Sequence, residues 1–395
     1  MKILVLNADY ERFMLQYYGR SPELKHATYA EQMQARNDTL FGTADFYSRG
    51  FAAAGHNAIE VHVNNPWLQL AWARQHGMPV ANASELGAIT EDGPVVRNLK
   101  RRLRPLRPLL APIARKLGII STVGAQLQEV LRAQVEEFQP DVILNQDIAA
   151  IDCDFMKSLK RKNRILIAQC GVDPPTIGDL TVYDFGVSLI PWVVEEFRRR
   201  GLRAEHHHLG FGASILEALG PQPERDIDVS FVGSIGSAHG RRFSILNDIA
   251  QFCSLSVWTA NPGDLPAGSA LAKCVRGEVY GRDMYQILRR SKITLNNHIN
   301  VSRGSAGNMR LFEATGIGAF LLTDNLADLP ELFEPGREVA VYDSTVDAAK
   351  TIEKYLSDET AREDMARRGQ SRTLTDHTYG RRTQELLGYI EKYSA

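Results

Sequence analysis

Arg303-Gly-Ser-Ala-Gly-Asn-Met-Arg-Leu-Phe-Glu-Ala-Thr-Gly-Ile-Gly318 reads as a glycine-punctuated loop running into a short helix that ends at Gly316. An apolar strand, Ala319–Thr323, follows almost at once. A loop that opens a helix presents unpaired N–H groups and the positive end of the helix dipole, which suits a phosphate. The helix carries Arg310 and Glu313 three residues apart. A carboxylate one turn into such a helix can accept hydrogen bonds from a sugar diol. Phosphate beside ribose means a nucleotide, and the stretch reads as half of a nucleotide-diphosphate site.

Working outward, short apolar runs alternate with helical patterns along the chain. Ile3–Leu6, Ala58–Val63, Val142–Leu144, Ile165–Ala168 and Phe185–Ile190 read as buried parallel strands, with Glu205–Gly210 a last strand of that series. The amphipathic stretch Gly124–Phe138, closed by Gln139-Pro140, predicts a helix between two of them. The turn-rich segment Gly220–Asp226 is the best linker. A second series follows as Asp228–Ser234, Leu255–Trp258, Ile293–Asn296, Ala319–Thr323 and Glu338–Tyr342. Asp343 or Ser344 can cap the next helix, with Asp347 placed for a capping box, and Asp358 caps another that is expected to end at Gly369. Two such series predict an α/β chain of two doubly wound, Rossmann-like domains with a cleft between the carboxyl ends of their strands. The predicted boundaries are 1–220, 221–377 and a closing segment, 378–395.

At 395 residues, 44% apolar and 24% charged, the composition is that of an ordinary globular chain with room for two cores. A net charge of −1 gives no global field favouring nucleic acid. Cys153, Cys170, Cys253 and Cys274 lie far apart and form no Cys-x-x-Cys pair, which argues for reduced structural thiols and against a zinc site. The apolar run at the N-terminus is too short for a signal peptide, and no window approaches a membrane span. The expected location is cytoplasmic, with peripheral contact at the inner membrane face as an extension of it.

The turn after Asp228–Val232 supplies Gly233, Ser234 and Gly236, with Arg241 or Arg242 in reach of a diphosphate. Asn297 and His298 crowd the end of a strand whose loop leads through Arg303, Gly304 and Ser305 to Asn308. Polar residues at that end of an α/β sheet are where ligands bind. Arg310 is read both as a diphosphate contact and as the i,i+3 ion-pair partner of Glu313.

Asn308–Ala314, Leu321–Asp324, Glu331–Gly336 and His377–Tyr379 resemble the C-terminal half of GT-B glycosyltransferases, closest to the spore-maturation-protein-like family. Pro140–Ile143, Gln169 with Gly171, and Leu209–Phe211 are similar to the N-terminal half. The resemblance implies a hexosyl- or related transferase with a UDP-, GDP- or dTDP-sugar donor on the second domain. It places a carbohydrate, lipid-linked, protein or small-molecule acceptor on the first, with no bound metal and no cofactor, and a final helix crossing back to the first domain. By the same resemblance Glu313 holds the donor ribose. Many retaining members carry a second glutamate eight positions earlier, where this chain has Ser305.

A general base for the acceptor would sit at a strand's carboxyl end in the first domain. Asp9, Asp147 and Asp173 are candidates, and His26 is a fourth, on a segment with Tyr17, Tyr18 and Tyr29. In His206-His-His208 strand alternation sends the middle ring to the opposite face, which argues against a metal. Arg97–Lys116 concentrates eight positive charges and no negative ones, so it reads as a solvated loop or as a patch for an anionic membrane or lipid-diphosphate acceptor. Three rival classes remain. They are an NDP-sugar epimerase or hydrolase of the same fold, a non-catalytic carbohydrate-binding protein, and a nicotinamide oxidoreductase. The Gly-x-Gly-x-x-Gly turn that the last requires is replaced by Asn7-Ala-Asp-Tyr-Glu-Arg12.

Overall fold

The computed structural model describes residues 1–80, 125–175, 178–235, 240–260 and 262–394, with the side chains of residues 125, 240 and 241 outside the description. The basic stretch Arg97–Lys116, Gly236 and the side chain of Arg241 therefore lie outside the described residues. Two six-stranded sheets organise the chain. The first contains β1 (Lys2–Asn7), β2 (Asn57–His62), β3 (Val142–Asn145), β4 (Ile165–Gln169), β5 (Phe185–Ser188) and β6 (Ala204–His206), in the order β2-β1-β3-β4-β5-β6. The second contains β7 (Ile227–Val232), β8 (Leu255–Trp258), β9 (Val275–Gly277), β10 (Ser291–Leu295), β11 (Leu321–Asp324) and β12 (Ala340–Tyr342), in the order β12-β11-β10-β7-β8-β9. All its pairs are parallel.

The strands are continuous apolar runs because helices cover both faces. Ile3, Leu4 and Val5 are fully buried in β1, as are Val142, Ile143 and Leu144 in β3. In each sheet the order reverses at one place: between β1 and β3, and between β7 and β10. At such a reversal the connections leave in opposite directions, and a crevice opens at the strands' carboxyl ends.

By compactness the chain divides into two units: residues 1–35, 58–169 and 174–183, and residues 36–57, 170–173 and 184–395. The second unit thus holds β5 and β6 together with the whole second sheet. Within it the final helix, Tyr379–Ser394, lies against the first sheet's last strands, as expected. Tyr393 and Lys392 hydrogen-bond Glu205, each at 2.5 Å, and the Tyr393 ring packs 4.9 Å from Phe185.

Three local expectations change. The helix expected to stop at Gly369 runs through it, from Glu359 to Asp376. Gly369 is there for close approach, since a Cβ would sit 2.5 Å from the Glu338 carbonyl oxygen. The last strand of the first series stops at His206, and the chain beyond it bridges elsewhere: Phe211 N–H donates to His377 O, and Phe211 O accepts from Tyr379 N–H. The Gly220–Asp226 linker is pinned rather than loose. Arg225 donates to the carbonyls of Arg289, Ser291 and Gly318 and pairs with Glu363 at 2.9 Å.

Candidate functional site

The second sheet's reversal brings the two predicted loops together. In-register pairing of Leu295 with Phe231 sets the end of β10 beside the end of β7, so Asn296–His298 lie next to Gly233–Ser234. Arg242 ties the two loops, donating to the carbonyls of Ser234 (2.8 Å) and Asn297. Burial pushes its guanidinium pKa down to about 10. Of the two arginines expected to reach a diphosphate, Arg242 is thus spent on backbone oxygens.

His298 is held as a clamp. Its Nε2 accepts from Gly307 N–H at 3.2 Å, so the ring proton resides on Nδ1 and is donated to Asp324 at 2.8 Å. Burial would raise the Asp324 carboxyl, but the hydrogen bonds it accepts from the His298 ring and backbone N–H and from the Thr323 hydroxyl outweigh it and hold the pKa below the usual value. The loop's own donors are largely used as well. Ser305 N–H bonds Ser302 O and Ala306 N–H bonds Asp328, which corrects the expectation of a glycine loop with free N–H groups. The glycines serve backbone shape: Gly304 and Gly307 have φ of +91° and +118°. What remains for an anion among the described residues is the N–H groups of Met309 and Arg310 at the start of the helix Met309–Gly316. Asn308 caps that helix by accepting from Leu311 N–H at 3.2 Å, while its amide exchanges two hydrogen bonds with Asn296 (2.9 and 3.1 Å).

One turn on, Glu313 is 6% exposed. Its Oε2 accepts from Arg310 at 2.7 Å and its Oε1 from the Tyr285 hydroxyl at 3.3 Å. A carboxylate has about four acceptor positions, so each oxygen keeps a lone pair for a diol. Arg310 thus makes the i,i+3 ion pair that its spacing allows. Arg303 differs from the other two arginines. It stands in the left-handed region (φ 51°), its guanidinium lies 3.9 Å from the centre of the Trp192 ring, and among the described residues no carboxylate lies within ion-pairing distance. Tyr285 and Trp192 escaped the sequence reading. Tyr285 sits in an apolar helical stripe with Met284 and Leu288, where nothing distinguishes a core ring from a hydroxyl aimed at a carboxylate.

The acceptor-side candidates separate by environment. Asp9 follows β1 but is 3% exposed, and both its oxygens are engaged: Oδ1 faces His62 at 3.2 Å and Oδ2 accepts from Asn65 at 3.3 Å. Asp147 follows β3, the neighbouring strand across the first sheet's reversal. Its Oδ1 closes a turn on the N–H groups of Ala149 and Ala150, and its Oδ2 makes no hydrogen bond among the described residues. His26 is exposed at the end of a short 3-10 helix, Pro22–His26, in the same unit. Asp173 is exposed and belongs to the second unit. In the histidine run, His207 is fully buried while His206 and His208 meet edge-to-face, ring centres 4.4 Å apart, as alternation predicts. Among the described residues no group of three or more His, Cys, Asp or Glu could hold a metal, and no helix is long and apolar enough to cross a membrane.

Residues 216–388 match the family model described as glycosyl transferase-like. No curated protein matches the chain. Solved structures share its fold over nearly its whole length. A glycosyltransferase from Rickettsia africae aligns with a TM-score of 0.56 at 9% identity, covering 99% of this chain and 98% of that one. Anabaena HepE, solved with UDP-glucose, aligns at 0.57 and 12% identity, covering 99% and 100%. Sucrose-phosphate synthase from Thermosynechococcus elongatus aligns at 0.54 and 10%, covering 99% and 98%. At such identities the likeness is one of fold, and that fold is the two-domain GT-B arrangement expected from the sequence.

Proposed function

We propose that this protein is a glycosyltransferase that moves a sugar from a nucleoside-diphosphate donor to an acceptor hydroxyl. One observation carries the reading. The loop and helix Gly304–Gly316 stand at the reversal of the second sheet with Glu313 buried one turn in, inside the segment that matches the glycosyl transferase-like model. Glu313 receives the ribose diol on its remaining lone pairs. The first-turn N–H groups at Met309 and Arg310, with Arg303, face the diphosphate and stabilise it as it leaves. Asn297 and His298 brace the loops rather than contact the donor through their ring or amide ends. Gly233 and Ser234 supply backbone at its edge.

Residues 1–220 take the acceptor in this proposal, 221–377 the donor, and 378–395 return to the first domain. Asp147 is the favoured base, because among the described residues its Oδ2 has no hydrogen-bond partner, at the first sheet's reversal, while Asp9 is enclosed. No metal or cofactor has a role. The narrower likeness to spore-maturation-protein-like transferases, a cytoplasmic location and a membrane or lipid-diphosphate role for Arg97–Lys116 belong to the proposal too. Co-sedimentation with anionic and neutral liposomes tests the last of these, and equal binding to both removes the membrane role.

The test of the main reading is calorimetric titration with UDP, GDP and dTDP, starting from UDP because HepE was solved with UDP-glucose. One nucleotide should bind, and Glu313→Ala should weaken it at least ten-fold, about 1.4 kcal/mol. Unchanged affinity in a folded Glu313→Ala protein would remove the assignment. Sugar release from donor alone, with no acceptor dependence, would favour the hydrolase or epimerase alternative.

A further inference from the structure

We infer that Trp192, on the helix Pro191–Arg199 that follows β5, is a positioning residue that holds Arg303 for the donor's diphosphate. This rests on the nucleotide reading above and adds the residue that sets its anion contact.

The three described arginines around the site loops are not equivalent. Arg242 spends its two terminal nitrogens on carbonyls, and Arg310 is paired with Glu313. Arg303 has a ring as its partner, and no hydrogen bond or ion pair occupies its N–H donors among the described residues. A guanidinium laid face-on against an indole loses little, because stacking uses the face and leaves the edge donors for an oxyanion.

Trp192 does a second thing. Its Nε1–H donates to Val301 O at 2.7 Å, gripping the loop two residues before Arg303. The chain then turns through the short 3-10 helix Asn300–Ser302 into the left-handed conformation at Arg303. One indole thus meets both the backbone entry to the loop and its cation. Among the described residues the hydrogen bond and ring contact of Trp192 go to Val301 and Arg303, neither on the nucleotide helix, so its action passes through Arg303. Negative charge is nearby but not competing: Glu196, one turn along the same helix, is committed to Arg199 at 2.7 Å. Its pKa is held low chiefly by that hydrogen bond, with Arg303 a minor contributor.

The experiment compares binding of the nucleoside diphosphate found above with binding of its nucleoside, in the full chain, for Trp192→Ala, Trp192→Phe, Arg303→Ala and the double variant. Trp192→Ala should weaken the diphosphate about five-fold, the size of a cation–π contact, and leave the nucleoside unchanged. Trp192→Phe keeps a ring face but not the Nε1–H, and should recover part of the loss. In the Arg303→Ala background the Trp192 substitution should have no further effect. A merely structural tryptophan would lower nucleoside and diphosphate binding together, or add its loss to that of Arg303→Ala, and either result overturns the inference. If the chain binds a nucleoside diphosphate through Glu313 and Trp192 variants bind it normally, this inference fails alone. If no nucleoside diphosphate binds the unmodified chain, both readings fail.

Discussion

Arg310 Nη1 lies 2.7 Å from Oε2 of Glu313 on a single helical turn, with the two side chains 15% and 8% exposed. A pair this enclosed is costly to break from one side, because the remaining charge stays buried without its partner. Arg310→Met should destabilise the fold by about 3 kcal/mol. The double variant Arg310→Met, Glu313→Gln should lose less than Arg310→Met alone, since the amide can still accept from Tyr285 without carrying charge. Urea unfolding of the two proteins measures this directly. A double variant less stable than the single would mean the pair is not the dominant contact.

Asn308 separates stability from anion binding. Asn308→Asp keeps the oxygen that caps Leu311 N–H and adds negative charge where the helix dipole favours it, at the cost of one hydrogen bond to Asn296. Its stability should change by no more than about 1 kcal/mol. Diphosphate binding should nevertheless fall about five-fold or more, because a like charge now stands beside the proposed anion site. Thermal unfolding and calorimetry on the same sample give both numbers.

Two helical glycines should respond with opposite sign. A Cβ added at Gly388 would meet no atom of the described residues within 4 Å, so Gly388→Ala should stabilise by about 0.5–1 kcal/mol through helix propensity. At Gly369 the same gain is overwhelmed by the Glu338 carbonyl 2.5 Å away, and Gly369→Ala should cost about 1–3 kcal/mol. Unfolding midpoints in urea distinguish the two.

Stability should decline as the solution is acidified from neutrality, in two overlapping windows. Burial pushes the His208 pKa from 6.5 down to about 3, and burial lowers His207 and His377 in the same direction. The unfolded chain takes up these protons below about 6.5 while the folded one resists them, so the folded state loses ground as pH falls from 6.5 toward 3. Glu385 is the complementary case. Burial would raise it, but the His207 hydrogen bond and Arg382 charge bring it to about 2, so its contribution is present above 4.5 and lost as pH falls toward 2. His208→Phe should flatten the first window, read as a smaller difference between urea midpoints at pH 7 and pH 5. An unchanged difference would show that the His208 ring does not resist protonation.

Most of the strands were legible because each is a continuous apolar run bounded by turn residues, and burial on both faces demands that pattern. β9 was not, since Val275–Gly277 is a short edge strand with only partial burial. The helix through Gly369 was misjudged for a related reason. A glycine that ends a helix and one that lets a carbonyl approach look alike until the neighbour is known. Leu209–Phe211 and His377–Tyr379 stood out separately along the chain, and their direct backbone pairing is a fact of folding that no local pattern records.

The sequence by itself determined the two strand–helix series, the loop–helix–strand of Arg303–Gly318, and the i,i+3 spacing of Arg310 and Glu313. These depend on neighbours close in the chain, through periodicity, capping and turn chemistry. The tertiary structure decided what each polar group does. It set β10 beside β7, used His298, Asn308 and Arg242 to build the loops, closed Asp9 among His62 and Asn65, and left Arg303 with open donors against Trp192. Hydrogen-bond partners far apart in sequence decide which donors and acceptors remain for a ligand, and only the folded chain brings them together.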